Sequence, residues 1–314
     1  MPSPSTSPPT VSVIMPAYRA GGTIGRAIDS ILAQTYPVHE ILVVDDGSPE
    51  DLAAILAPYG ERVSLVRQPN GGAAAARNRG LDLARGDLVA FLDADDQWLP
   101  EKVEQCVTVF QQQPDVGLVA SRYSLQDADG GPVRTAGPEP GWCHRRTHVR
   151  ASQVLDFARN IVTTTVVVRR QLLQDQRFDV TLATAEDRDL WIRLLLATEV
   201  YFIDAPLCIY LVSPTSLSHG NVDLDCTCML RVIDRYASRL GIGISRRERS
   251  YVHYKWAAGL GDGRAALSHW AQATWLWPLP YARQRTRCWL ARPRLLVSIL
   301  RRLLRPADLA RGLQ

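Results

Sequence analysis

Three carboxylates, Asp93, Asp95 and Asp96, close an apolar run from Leu88 to Leu92. An apolar strand that ends in clustered acid is costly unless the charges meet solvent, partners or a cation. In an open α/β sheet, ligands bind at the carboxyl ends of the strands. An Asp-x-Asp at such an end suits a hard divalent ion, Mg2+ or Mn2+, which takes oxygen ligands and shares them with substrate phosphates. The same acids also read as a turn leading into a helix after Trp98, Leu99 and Pro100, and spacing alone does not separate the two readings.

Other residues carry weaker signals of the same kind. Asp45 and Asp46 follow the apolar run Ile41 to Val44 and precede Gly47-Ser48. A carboxylate there accepts from a base N–H or a ribose hydroxyl, or caps a helix starting near Pro49. Glu186 and Asp187 open a helical stretch after Thr184, where acid favours the helix dipole and can also act as a general base. Arg77 and Arg79 follow Asn70-Gly71-Gly72, within reach of a diphosphate or simply at the surface. The run Ala20 to Gly25 nearly matches the dinucleotide fingerprint and raises an NAD-type oxidoreductase as a rival. Ala20 replaces its first glycine, however, and Pro16 to Arg19 intervene before the turn.

These residues need a scaffold. Val11–Met15, Ile41–Val44, Val63–Val66 and Leu88–Leu92 read as strands, alternating with helices over Thr23–Gln34, Asp51–Leu56 and Ala73–Ala84. That β-α-β-α rhythm predicts a mostly parallel, Rossmann-like α/β sheet with right-handed crossovers. Val116–Ala120, Val162–Val168, Val200–Ile203 and Leu207–Val212 read as further strands, and Glu186–Ala197 as a helix. The Gly/Pro-rich stretch Asp127 to Gly141 is long enough for a mobile loop over a site. Three regions result: a Pro/Ser/Thr-rich disordered tail over 1–10, a catalytic domain over 11–215, and a helical, basic and aromatic region over 216–314.

The chain has 314 residues, 46 % hydrophobic, with net charge +4. From Tyr281 to Gln314 nine Arg stand against one acid, Asp308. The six cysteines lack metal-ligand spacing and read as free thiols of a reducing cytosol. No apolar stretch reaches the ~18–20 residues that span a bilayer.

In order, these segments resemble a family 2 glycosyltransferase of the A-type fold. The resemblance runs from about Val11 to Ser218. It rests on Val11–Tyr18, Ser30–Tyr36, Glu40–Ser48 (Glu-Ile-Leu-Val-Val-Asp-Asp-Gly-Ser), Gly72–Gly80 with its Ala-Arg-Asn-Arg-Gly, Phe91–Pro100 and Ala185–Leu194. It implies that Pro16, Ala17 and Tyr18 line a nucleotide pocket, Tyr18 against the base. Asp46 binds the base, uracil or thymine, and Arg77 lies near the diphosphate. Asp95 ligates Mn2+ or Mg2+, with Asp93 assisting on the ribose or through water. Asp187 is the catalytic base and Glu186 its neighbour. The implied reaction moves a sugar, with inversion, from a UDP- or dTDP-linked nucleotide-sugar donor to a hydroxyl of a glycan or lipid-linked acceptor. A catalytically silent nucleotide-sugar-binding partner is the alternative. One departure stands out: Leu211 and Ser213 occupy the places of the family's frequent Arg and His, with His219 nearby.

Arg clusters with Trp270, Trp275, Trp277 and Trp289 suit a membrane interface, each Arg near an anionic leaflet contributing about 1 kcal/mol. A helical subdomain with exposed Arg is the other reading. The sequence therefore predicts a cytoplasmic protein, peripheral on the inner face of the cell membrane through its C-terminal region. With no nucleic-acid module, it predicts no nucleic-acid partner.

Overall fold

The computed structural model describes residues 7–127, 131, 134–212, 221–279 and 291–303. The chain divides into two compact units, Met1–Ser213 and Pro214–Gln314.

The first unit is built on one ten-stranded sheet. Its parallel part comprises β1 (Val11–Ala17), β2 (Glu40–Asp45), β3 (Ser64–Arg67) and β4 (Leu88–Phe91), in the order β3-β2-β1-β4. The sheet continues through β9 (Val166–Arg169), β6 (Val116–Asp127), β10 (Glu199–Val212) and β5 (Gln97–Trp98). β7 (Arg134–Ala136) and β8 (Arg146–Thr147) pair at the side with β6 and β10. β9 runs antiparallel to both β4 and β6, while β6 and β10 are parallel. The sheet is thus mostly parallel in its first half, as the alternation predicts, and mixed in its second.

β1, β2 and β4 are apolar on both faces and almost wholly buried, as strands covered by helices on each side must be. α1 (Ile24–Leu32) buries Ile24, Ala27, Ile28 and Ile31 on one stripe. α2 (Leu52–Leu56) is capped by Asp51, whose carboxylate accepts from the Ala54 amide. α3 (Gly72–Leu83) lies very close to the sheet: a Cβ on Gly80 would stand 2.4 Å from Ile14 Cγ2. Only glycine permits that approach. α4 (Lys102–Gln112) and α5 (Ala151–Arg159) complete the layers before α6 (Glu186–Ala197).

Two expectations are corrected. Val162–Val168 is not strand throughout. Thr163–Thr165 form a buried 3-10 turn, because the Thr165 hydroxyl and amide both bond the Val162 carbonyl. A local threonine bond of this kind competes with the ladder. The two strands expected around Leu207 are one, β10, whose register shifts on either side of Pro206, a residue with no amide for the ladder.

The second unit comprises α7 (Val222–Leu240), α8 (Ile242–Gly259), α9 (Gly263–Leu276) and α10 (Ala291–Leu303), the last three of which share a small core of Ala257, Ala266 and Ile299. Arg292 is buried there, its Nη2 donating to Ser250 Oγ at 3.0 Å. Among the described residues no helix is long and apolar enough to cross a membrane. Most of the expected tail (1–6 of 1–10), part of the Asp127–Gly141 loop, the stretch Ser213–Ser218, His219, Trp289 and Arg283 to Arg287 lie outside the described residues.

Candidate active site

Register brings three turns side by side, two of them acid-bearing. Ala17 pairs with Asp45 across β1 and β2, and the Leu92 amide bonds the Ile14 carbonyl across β4 and β1. Tyr18, Asp46 and Asp93 therefore leave the carboxyl ends of three neighbouring parallel strands.

Asp46 is buried and already engaged. Its Oδ1 accepts from Gln68 Nε2 at 2.8 Å and the Gly71 amide at 2.9 Å, and its Oδ2 from the Gly72 amide at 2.7 Å. It does cap a helix, but that helix is α3, not the one near Pro49. One lone-pair position on Oδ2 stays available for a base N–H. Asp45 accepts from the Ser48 amide at 2.8 Å. Gly47 between them has φ +75, and a Cβ there would lie 3.0 Å from the Asn70 amide nitrogen. Ala17 is buried and its carbonyl accepts the Asp46 amide. Pro16 is half-buried, whereas Tyr18 is 47 % exposed with the Arg19 guanidinium 5.4 Å from its ring centre. The ring is thus open to a stacking base. The glycine run that resembles a dinucleotide fingerprint instead starts α1: the Thr23 and Ile24 amides both donate to the Ala20 carbonyl.

After β4 the chain turns sharply, the Asp96 amide bonding the Asp93 carbonyl at 3.0 Å. Asp95 is exposed, yet its carboxyl is held above the usual range, by the enclosing protein atoms first and by Asp93 second. Asp96 is buried; burial, then Asp93 and Asp95, push its carboxyl well above the ordinary range. Its Oδ1 accepts the Leu211 amide at 3.0 Å. The departure at Leu211 thus sits directly on the third acid, but through its backbone.

Arg77, expected near a diphosphate, is buried and faces the protein. Its Nη2 donates to Asp93 Oδ1 and its Nη1 to Glu186 Oε1, both at 2.7 Å. Burial alone would lower its pKa, but Asp93 and Glu186 raise it. Arg79 shows no such pairing with either acid. Glu186 is raised by burial, then by Asp187, against the opposing pull of Arg77. Asp187 is half-buried; its Oδ2 accepts the Thr163 hydroxyl at 3.1 Å and its Oδ1 the Arg188 amide at 2.6 Å. Ala185, which precedes this pair, has φ +61, a left-handed conformation unfavourable to a side chain. Strain of this sort gathers where a site over-determines the backbone.

Asp93, Arg77, Glu186 and Thr163 with Asp187 therefore form one connected group. Thr163, Gln68, Asn78 and Phe178 were not legible as site residues; only the Ala-Arg-Asn run signalled Asn78. Among the described residues no three His, Cys, Asp or Glu side chains converge as a self-sufficient metal site. Asp95 and the free Oδ2 of Asp93 are nevertheless hard oxygen donors whose mutual repulsion a divalent cation would relieve. Two carboxylates, completed by water and substrate oxygens, is how Mg2+ and Mn2+ are usually held.

Comparison with known proteins identifies the family and the fold. The amylovoran biosynthesis glycosyltransferase AmsB of Erwinia amylovora is 31 % identical over 192 residues, 58 % of this chain and 62 % of that protein. The putative teichuronic acid biosynthesis glycosyltransferase TuaG of Bacillus subtilis is 40 % identical over 129 residues, 40 % of this chain and 51 % of that one. The chain spans 29 to 62 % of the length of the curated relatives it matches. Residues 1–349 of S. aureus TarS share the fold at TM-score 0.63 and 18 % identity, over 93 % of this chain and 89 % of that one. The mannosyltransferase PcManGT of Pyrobaculum calidifontis, in complex with GDP-Man and Mn2+, does so at 0.59 and 18 %, over 96 % and 89 %. The fold is the A type of glycosyltransferases. A sequence profile described as glycosyl transferase family 2 matches residues 12–176, more than half of the chain, and the protein belongs to that family.

Proposed function

We propose that the protein is an inverting, divalent-metal-dependent glycosyltransferase that moves a sugar from a UDP- or dTDP-linked donor to a hydroxyl of a glycan or lipid-linked acceptor. The observation that carries this reading is the 2.7 Å pairing of Arg77 with both Asp93 and Glu186, which puts the acid turn after β4 and the acid pair of α6 in one group. TarS has been crystallised with UDP and with UDP-GlcNAc, and PcManGT with GDP-Man, which supports a nucleotide-sugar donor here.

Tyr18 stacks on the base, Pro16 and Ala17 shape the wall beneath it, and the remaining acceptor position of Asp46 takes a base N–H. Asp95 and Asp93 hold Mn2+ or Mg2+, which when bound supplies Lewis-acid charge against the departing diphosphate. Asp187 takes the proton from the acceptor hydroxyl as that oxygen attacks the anomeric carbon from the face opposite the diphosphate. Thr163 and the Arg188 amide fix the rotamer of that carboxylate. A single displacement of this kind inverts the anomeric centre and needs no covalent intermediate.

The catalytic domain is assigned to 11–215 and the helical region to 216–314. Ile242 (81 % exposed) and Trp275 (76 %), with Arg246 lying 5.9 Å over the Trp275 ring, support peripheral contact with an anionic membrane. Five free, buried cysteines suit a reducing compartment, the cytosolic side.

A panel of nucleotide sugars with and without Mn2+ tests the function. Metal-dependent release of UDP or dTDP, lost in Asp187→Asn, is expected. Nucleotide-sugar binding without turnover in the presence of acceptor would replace it with a silent binding role.

A further inference from the structure

Arg77 is enclosed on all sides by groups of its own chain. Its side chain is 6 % exposed, and Nε has no hydrogen-bond partner. The guanidinium lies 5.4 Å over the ring of Phe178. That ring meets Phe91 edge-on at 5.6 Å and Trp191 at 6.0 Å, while Phe91 and Trp191 meet at 5.9 Å. Phe91 is the last residue of β4 and Trp191 lies in α6. The next residue, Asn78, pairs with the backbone of Phe178 in both directions: Nδ2 donates to its carbonyl and Oδ1 accepts from its amide, each at 2.9 Å. One turn of α3 thereby grips the end of the metal strand and the start of the base helix together.

A guanidinium that clamps a diphosphate must keep its Nη groups free for phosphate oxygens. Here both already bear protein carboxylates. From this geometry we infer that Arg77 is a positioning residue, which fixes Asp93 and Glu186 against each other, and Asp187 through Glu186, and does not itself bind the donor. The inference rests on the glycosyltransferase reading for its kinetic consequence, but not for its structural one. The demand is for a planar fork reaching two acids, which the point charge of lysine does not satisfy.

The test uses the full chain with Arg77→Lys, Arg77→Met and Glu186→Gln. Hydrogen exchange of the ligand-free proteins comes first. Arg77→Lys is expected to speed exchange in peptides covering 92–97 and 184–190 while leaving 40–46 as in wild type. Unchanged exchange in those two segments, or uniform loosening of the whole unit, overturns the inference. Glu186→Gln is expected to loosen 184–190 likewise, and carries the test if Arg77→Met does not fold. Kinetics follow on whichever nucleotide sugar the wild type hydrolyses with Mn2+. Misplaced groups predict that kcat per folded molecule falls about 10²-fold in Arg77→Lys, with donor KM within about threefold. A large rise in KM at unchanged kcat would make Arg77 a donor ligand and sink the idea. If wild type turns over no nucleotide sugar, the donor reading fails, and the exchange data alone decide the role of Arg77.

Discussion

The site of the first unit and the solvated ion pairs of the second handle charge in opposite ways. At the carboxyl ends of β2 and β4 and the start of α6 the acids other than Asp95 are enclosed, and each of them is tied to a named donor. Asp46 holds the start of α3, Asp93 and Glu186 share Arg77, and Asp187 takes Thr163. In the helical unit an ion pair such as Arg249–Asp234 stays half in water, at 40 and 51 % exposure. A buried acid tolerates few replacements, since losing its partner leaves an uncompensated charge. A solvated pair tolerates many. The first unit therefore leaves residue-by-residue motifs in the sequence, and the second leaves only a basic composition.

Substitutions can break or sharpen this contrast. Asp187→Asn removes the proton acceptor while keeping its shape. Donor turnover should fall by about 10²–10⁴-fold, with a thermal midpoint near that of wild type; release of nucleoside diphosphate measures it. Arg77→Met strips the partner from two enclosed acids and should cost about 3–5 kcal/mol in urea unfolding of the first unit. A change below about 1 kcal/mol there would mean that the two units do not differ in kind.

Acid probes the other side. His253 stacks on Trp256, and its Nδ1 lies 2.9 Å from that of His269. Burial, then His269 and Arg249, hold its pKa down, to about 4 from the ordinary 6.5. Above pH 6.5 folded and unfolded chains both carry it neutral, so it contributes nothing. As pH falls from 6.5 to 4, the unfolded chain binds a proton that the folded one refuses, and stability drops by about 2–3 kcal/mol. Melting of the helical unit across that window should show the slope, and His253→Phe should flatten it. Smaller still, Ala185→Gly should relieve the left-handed backbone and stabilise by about 1 kcal/mol, while Ala185→Val should do the reverse. Asp234→Asn, in the solvated pair, should change stability by less than about 1 kcal/mol.

The same contrast explains what the sequence disclosed. Period and alternation place β1 to β4 and α1 to α3 within a residue or two, and α6 to its residue bounds, because strongly patterned burial leaves a strong pattern. α4 was read only as a helix after Pro100, without bounds, and α5 was missed. Their apolar residues sit among Gln, Thr and Asp, and the tertiary packing of Val103, Cys106, Val107 and Phe110 decides α4. β10 read as two strands because Pro206 interrupts the alternation, although the chain simply bulges there. At the site, the order of the acid clusters was visible along the chain. The tie between them was not, since Arg77 reaches Glu186 across 109 positions and no local spacing encodes such a pair. The engagement of Asp46 by Gln68 and two glycine amides was hidden for the same reason.

The two-way amide pairing of Asn78 with Phe178 works as a mooring. Beyond it the chain turns outward at Asp179, with Val180 58 % exposed at the far point, and comes back in at the buried Leu182 and Thr184. Lengthening the chain at the exposed tip, Val180 and Thr181, should leave the rings and acids on the inner side where they stand, so that tip is the place to graft new surface onto this scaffold without disturbing the chemistry beneath.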